Sequence, residues 1–131
     1  AKRASMKSVK YIFIVAGVYG LIVLLPMYFS ESRFNVDFPP AITHPEYFYG
    51  FIGFGIAWQI LFLLIAINPM RYKLMMIPGK IEKFSYSIAV IILFSQQRIP
   101  IMIFSSAIID LLFGVLFIYA FFKTKEELIN T

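Results

Sequence analysis

Four long stretches of the chain consist almost entirely of apolar residues, and most polar residues lie between them. A helix needs about 20 apolar residues to cross the hydrocarbon core of a bilayer. The sequence therefore predicts an all-α integral membrane protein, a four-helix bundle formed by a single transmembrane domain over residues 1–131. The predicted spans are residues 11–29, 47–68, 79–97 and 101–122, with an outer connector at 30–46 and a basic inner connector at 69–78.

The third span is the least apolar, because its uncharged part, residues 84–95, is too short to cross a membrane. A crossing helix must begin near Gly79, which places Lys80, Glu82 and Lys83 at or just inside the inner interface. Lysine side chains can extend toward water from this depth, and Glu82 can pair with one of them. A re-entrant segment is the alternative to a full span.

The distribution of basic residues predicts the orientation of the chain. By the positive-inside rule, segments rich in lysine and arginine face the cytoplasm. These segments are the N-terminal one, the connector between the second and third spans, and the C-terminal one, so both termini are predicted to be cytoplasmic. Their basic residues are Lys2, Arg3, Lys7, Lys10, Arg71, Lys73, Lys80, Lys83, Lys123 and Lys125.

The two remaining connections carry one arginine each and are predicted to face outward. The longer one, residues 30–46, is rich in turn-forming residues, and we expect it to lie as an ordered cap across the outer face. The basic start of the chain also fits a cleaved secretory signal. The long apolar run without a small-residue cleavage motif argues against that alternative.

Composition narrows the function further. The chain is 60% hydrophobic and contains no cysteine, which excludes disulfide frameworks, thiolate metal sites and thiol nucleophiles. Its net charge of +5 comes from short tracts beside the spans and forms no continuous stripe, so no nucleic-acid partner is expected. The expected partners are the lipid bilayer and, in addition, a second membrane protein or a second copy of the chain.

Asp110 is the most informative residue, because a carboxylate near the bilayer centre costs about 2.5–3.5 kcal/mol to insert. Counting along each helix places several polar side chains near its depth, and Ser106, Asp110 and Gly114 share one face of the last span. Asp110 then either fixes helix register through a hydrogen bond or anchors a ligand or a proton. The predicted ligand-binding residues are Asp110, Gln59, Tyr19, Trp58, Ser87 and Ser106.

Small residues in the first two spans, among them Gly17, Gly20 and Gly55, predict close contact between helices. At the inner side, an ion pair within a basic tract predicts either a simple membrane anchor or a pocket for acidic headgroups. The residues of this predicted headgroup site are Arg71, Lys73, Lys80, Glu82 and Lys83.

At the outer mouth, the sequence singles out His44, Glu46 and Arg98. Thr43 or His44 is placed to cap the second span, and Arg98 could pair with Glu46 or Asp37. A single histidine is a poor metal or haem ligand, so no metal or cofactor is expected. One buried acid without a second carboxylate or a histidine at its depth gives no ground for naming catalytic residues, and the enzyme hypothesis ranks last.

The motifs HPEYFYGF, AWQ, NPMRY and IEKFSY, together with the late ID pair and Gly114, resemble those of small four-helix bacterial membrane proteins of unassigned function. In size and number of spans the chain is also similar to the DoxX-like group. The resemblance extends from the first span to Phe122. It implies a fold and a multi-pass location in the bacterial cytoplasmic (inner) membrane, and it implies no chemistry.

Three functions fit these features. The first is a non-enzymatic bundle that binds a lipid or another lipid-soluble ligand between its helices. The second is an accessory subunit that docks on a larger membrane complex. The third is a small proton-linked transporter or channel with Asp110 on the path.

Overall fold

The computed structural model describes residues 2–124, with side chains from Met6 onward, and over this range the only regular secondary structure is helical. This confirms the all-α prediction for the described residues. Lys125 and the side chains of Lys2 and Arg3, which contribute to the predicted orientation, lie outside what is described. The α-helices are α1 (Lys2–Leu24), α2 (Glu31–Asp37), α3 (Pro45–Ile67), α4 (Met76–Ser95) and α5 (Ile101–Lys123).

Four of these helices are long, and each overlaps one predicted span over most of its length. They run alternately up and down: α1 packs along α3 and α4 along α5, while α1 also contacts α5 and α3 contacts α4. The two ends of the molecule therefore differ. We call the end that carries residues 30–44 and 96–100 the connector end. The opposite end, which carries Lys7, Lys10, residues 68–75 and Lys123, is the basic end.

Among the described residues, three helical segments are long and apolar enough to cross a membrane: Met6–Phe29, Pro45–Ile67 and Ile101–Lys123. Large apolar side chains cover their outer surfaces, and Phe54 and Phe122 are 76% and 78% exposed. Such an exterior is unfavourable in water and suits lipid. The protein is therefore a membrane protein. Helix α4 is not among these segments, because Lys80, Glu82 and Lys83 lie in its first half.

A cluster of buried apolar side chains, which we call the dry core, lies in the basic half of the molecule. Its centre is an aromatic cluster in which the Phe117 ring stacks on Phe13 with 4.4 Å between centroids and meets Phe62 edge-on at 4.9 Å. All three side chains are fully buried. Buried apolar side chains from α1, α3, α4 and α5 surround the cluster.

Glycines let α1 and α3 approach closely, as the sequence predicts. A Cβ atom at Gly17 would lie 2.9 Å from the backbone oxygen of Gln59, and one at Gly55 would lie 2.7 Å from Leu24. A Cβ atom at Gly20 would overlap the Gln59 side chain. Because Gly20 has no side chain, the Gln59 side chain can occupy the space beside it.

The connector folds across one end of the bundle. Helix α1 tightens into a 3₁₀ segment, Leu25–Phe29, at Pro26, and α2 follows. The Tyr49 hydroxyl of α3 donates to Glu31 of α2 at 2.8 Å, and the backbone N–H of Ile42 donates to Asn35 at 2.8 Å. These bonds hold α2 across the connector end, where its aromatic side chains face the interior.

Candidate ligand-binding cavity

A cavity of about 360 Å³ occupies the connector half of the molecule, between all four long helices and beneath α2. Its volume falls in the range of roughly 300–1,000 Å³ that is usual for small-molecule sites. The wall is largely apolar and aromatic, and the polar groups gather at the deep end. The lining residues are Tyr19, Gly20, Val23, Leu24, Met27, Phe34, Phe38, Phe51, Gly55, Gln59, Glu82, Lys83, Tyr86, Met102, Ile103, Ser106 and Asp110.

Three charged side chains form the floor of this cavity. The Lys83 ammonium lies 3.4 Å from Asp110 Oδ1 and 3.7 Å from Glu82 Oε2, and only 3% of its side chain is exposed. The rings of Phe62 and Phe113 lie 5.2 Å and 5.6 Å from the same nitrogen. Lys83 is thus held between two carboxylates and two aromatic rings, directly above the dry core.

This position of Lys83 follows from the helical repeat of α4. The buried face of α4 consists of Met76, Gly79, Lys83, Ser87 and Val90, spaced by three or four residues. Lys83 therefore lies on the face of α4 that points into the protein. Ser106, Asp110 and Gly114 share one face of α5, as the sequence predicts. This face lies against α4, and Asp110 meets Lys83 there.

The structure corrects the expected position of Lys83 and Glu82. The sequence places both residues at or just inside the inner interface, where a lysine would extend toward water, Glu82 would pair with a lysine, and both would contribute to a headgroup site. Instead Lys83 is buried and pairs with Asp110, and Glu82 lines the cavity beside it. Lys83 is buried because it lies on the inward face of α4, from which its side chain does not extend to the surface. The signal was present in the spacing, because Lys83 precedes Ser87, a predicted inward residue, by four positions.

Gln59 supplies the fourth polar group. Its side-chain N–H₂ donates to the backbone oxygen of Gly55 at 3.0 Å, and only 2% of the residue is exposed. Its Oε1 atom, which packs on Gly20, accepts no hydrogen bond within the described part of the chain. The same holds for Glu82 Oε2, which is 3.7 Å from Lys83 and therefore beyond hydrogen-bonding distance.

Tyr86 and Ser106 join α4 to α5 above the floor. The Ser106 hydroxyl donates to the backbone oxygen of Ile103 at 2.6 Å, so the contact of 2.9 Å between the two hydroxyl oxygens is a bond donated by Tyr86. Both hydroxyl protons are therefore used within the protein. The aromatic ring of Tyr86 remains part of the cavity wall.

The predicted ligand-binding set is partly brought together. Asp110, Gln59, Tyr19 and Ser106 line the cavity. Trp58 and Ser87 are not lining residues: Trp58 packs against the dry core, and the buried Ser87 hydroxyl donates to the backbone oxygen of Lys83.

At the basic end, the remaining residues of the predicted headgroup site lie around aromatic rings. The ammonium groups of Lys73 and Lys80 are 4.7 Å and 3.9 Å from the centroid of Phe121, and the Arg71 guanidinium lies 5.6 Å from that of Tyr72. These contacts hold the three cations near the ends of α4 and α5.

At the outer mouth, the three predicted residues are not brought together. His44 contacts Glu46 at 3.1 Å, and Arg98 donates to Gln96 at 3.4 Å. Asp37, the other expected partner of Arg98, pairs with Arg33 instead. His44 is the N-cap residue of α3 but makes no side-chain capping bond.

The cavity offers charge and hydrogen-bond acceptors at one end and apolar surface elsewhere, an arrangement suited to binding a molecule with one polar end. Within residues 6–124 the structure contains no cluster of three or more His, Asp or Glu side chains that could hold a metal ion. Comparison of the chain with protein-family models, with curated proteins and with solved structures gave no match. The function must therefore be inferred from the cavity itself.

Proposed function

We propose that this protein binds a lipid-soluble amphiphile in the cavity between its helices. The supporting observation is the cavity: it has an apolar and aromatic wall, and all its charged groups lie together at its deep end. A buried Lys–carboxylate cluster inside a membrane protein is expensive to maintain and usually marks a ligand or ion site. A merely structural role for Asp110 would not need an open volume beside it.

The proposal includes a four-span topology. Helix α4 has 20 residues, about 30 Å at ~1.5 Å per residue, which is enough to cross a bilayer. It runs unbroken alongside α5, as a span would and a re-entrant segment would not. Two of its three charged residues contact Asp110 or each other inside the protein, which lowers the cost of insertion.

The orientation and location in this proposal rest on charge and resemblance. Lys7, Lys10, Arg71, Lys73 and Lys123 lie at the basic end, which the positive-inside rule assigns to the cytoplasm. Both termini are then cytoplasmic, and the cavity lies toward the outer half of the membrane. Resemblance to small bacterial membrane proteins favours the inner membrane of a bacterium.

Native mass spectrometry of the protein in lipid nanodiscs tests the proposed binding. The Ser106→Phe variant places a ring inside the cavity, whereas Ser105→Phe places the same ring on the exposed side of α5. We expect the wild type and Ser105→Phe to retain a small molecule that Ser106→Phe has lost.

Two results would count against ligand binding. An adduct of the same mass and occupancy on all three proteins would indicate lipid on the outer surface. A wild-type protein that carries no small molecule but a stoichiometric membrane protein would favour the accessory-subunit function.

A further inference from the structure

The floor of the cavity carries more negative than positive groups. Glu82 and Asp110 contribute two carboxylates and Lys83 one ammonium, and no other lining residue is charged. The Lys83 ammonium is already shared between both carboxylates and faces two aromatic rings. The site is therefore one positive charge short of balance when both acids are ionised.

Two acceptor atoms of the same floor lack a hydrogen-bond donor. Gln59 Oε1 and Glu82 Oε2 are buried acceptors without a donor among the described residues, and Gln59 itself is 2% exposed. Three donor groups nearby bond elsewhere: the Gln59 side-chain N–H₂ donates to Gly55, Tyr86 donates to Ser106, and Ser106 donates to Ile103. A buried acceptor without a donor is unfavourable, so a ligand that supplies N–H groups is favoured at this position.

The wall also favours a cation. The rings of Tyr19 and Tyr86 line the cavity near the charged floor, and those of Phe34, Phe38 and Phe51 also line it. The face of an aromatic ring attracts an organic cation, more strongly where water is excluded. An anionic ligand would instead lie beside two carboxylates and opposite a lysine that is already paired.

From these three features we propose that the polar end of the ligand is a primary ammonium group. It donates N–H bonds toward Glu82 and Gln59 and balances the second carboxylate, while its apolar chain extends along the aromatic wall toward α2. This inference rests on the proposed ligand-binding function and specifies the class of ligand.

A primary ammonium can belong to a free amphiphilic amine or to an ethanolamine lipid headgroup. Asp110 lies about 14 Å along α5 from its start at Ile101, at ~1.5 Å per residue. A headgroup fixed at the membrane surface does not reach that depth without leaving its own layer. A free amine has no such restriction, and the experiment below distinguishes the two sources.

The test measures binding of three probes with the same chain, dodecylamine, dodecanol and dodecanoate, to the protein in phosphatidylcholine nanodiscs. Empty nanodiscs give the partitioning into lipid, which is subtracted. Because a charge-assisted hydrogen bond exceeds a neutral one by roughly 1.4 kcal/mol, we expect the amine to bind about tenfold more tightly than the alcohol, and the carboxylate least.

Matched variants then locate the ammonium. Glu82→Gln removes a carboxylate from the floor, and Glu46→Gln removes one from the exposed start of α3, where 62% of the side chain is accessible. We expect Glu82→Gln to lower amine affinity about tenfold without changing that of the alcohol, and Glu46→Gln to change neither. If Glu82→Gln fails to fold, the three probes on the wild type still show whether the cavity prefers an ammonium group.

The outcomes separate this inference from the function on which it rests. If no probe binds above the empty nanodisc, the cavity does not hold amphiphiles and both proposals fall. If the alcohol or the carboxylate binds as tightly as the amine, ligand binding stands and the ammonium assignment is wrong. If phosphatidylethanolamine in the nanodisc displaces the amine, the assignment stands and the natural source is the lipid.

Discussion

Replacing Lys83 by methionine is expected to lower the free energy of unfolding by about 3–5 kcal/mol, the usual cost of removing one partner from a buried ion pair. The change keeps a long side chain in place but leaves Glu82 and Asp110 facing each other without a cation. Titration with sodium dodecyl sulfate in mixed micelles, followed by circular dichroism, measures the loss.

Two further variants show whether the loss of the positive charge causes the destabilisation of Lys83→Met. Lys80→Met changes the same residue type one turn away, where the ammonium lies over Phe121 near the basic end, and we expect it to cost less than about 1 kcal/mol. Adding Glu82→Gln and Asp110→Asn to Lys83→Met removes the unpaired charges and should restore most of the stability. Equal, small losses for Lys83→Met and Lys80→Met would contradict the buried position of Lys83.

The second large effect is expected for Phe117→Ala, at the centre of the dry core. Phe117 is fully buried against Phe13 and Phe62, and its truncation leaves a cavity that neighbouring helices cannot fill. Truncation of a core phenylalanine costs about 3–5 kcal/mol in water-soluble proteins. In lipid the loss is mainly one of packing contacts, so we expect about 3 kcal/mol.

Phe122→Ala is the control for this prediction. It removes the same side chain from the same helix, five positions later, where the ring is 78% exposed to the surroundings. We expect no measurable change in the free energy of unfolding in the same titration. A loss as large as that of Phe117→Ala would mean that the inner and outer faces of α5 are assigned the wrong way round.

The long helices could be predicted from the sequence because lipid imposes a simple rule on length and polarity. Apolar runs of about 20 residues gave the approximate positions of α1, α3 and α5, and the spacing of Ser106, Asp110 and Gly114 placed them on one face of α5. The glycines of α1 and α3 marked a close helix contact for the same physical reason, the absence of a side chain.

The charged floor of the cavity was not predicted, although the spacing of Lys83 and Ser87 places both on one face of α4. The sequence assigned Lys83 to the inner interface because a lysine near a span end commonly extends toward water. Its true position depends on the rotation of α4 relative to α5, which packing between helices sets and composition does not reveal. The connector was also predicted only in part. Turn-forming residues indicated an ordered connector, but the placement of Phe34 and Phe38 over the cavity depends on tertiary contacts.

We propose that four spanning helices enclose a cavity whose charged floor lies inside the bilayer. The most direct test of this topology is the side of the membrane that each end of α4 reaches. The chain has no cysteine, so single cysteines can be introduced cleanly at the exposed positions Leu74 and Gln96, with Ser32 in the connector as reference. A membrane-impermeant maleimide is applied to sealed vesicles of known orientation. We predict that Gln96→Cys and Ser32→Cys react from one side and Leu74→Cys only from the other. Reaction of Leu74→Cys and Gln96→Cys from the same side would show that α4 does not cross the membrane and would contradict the account.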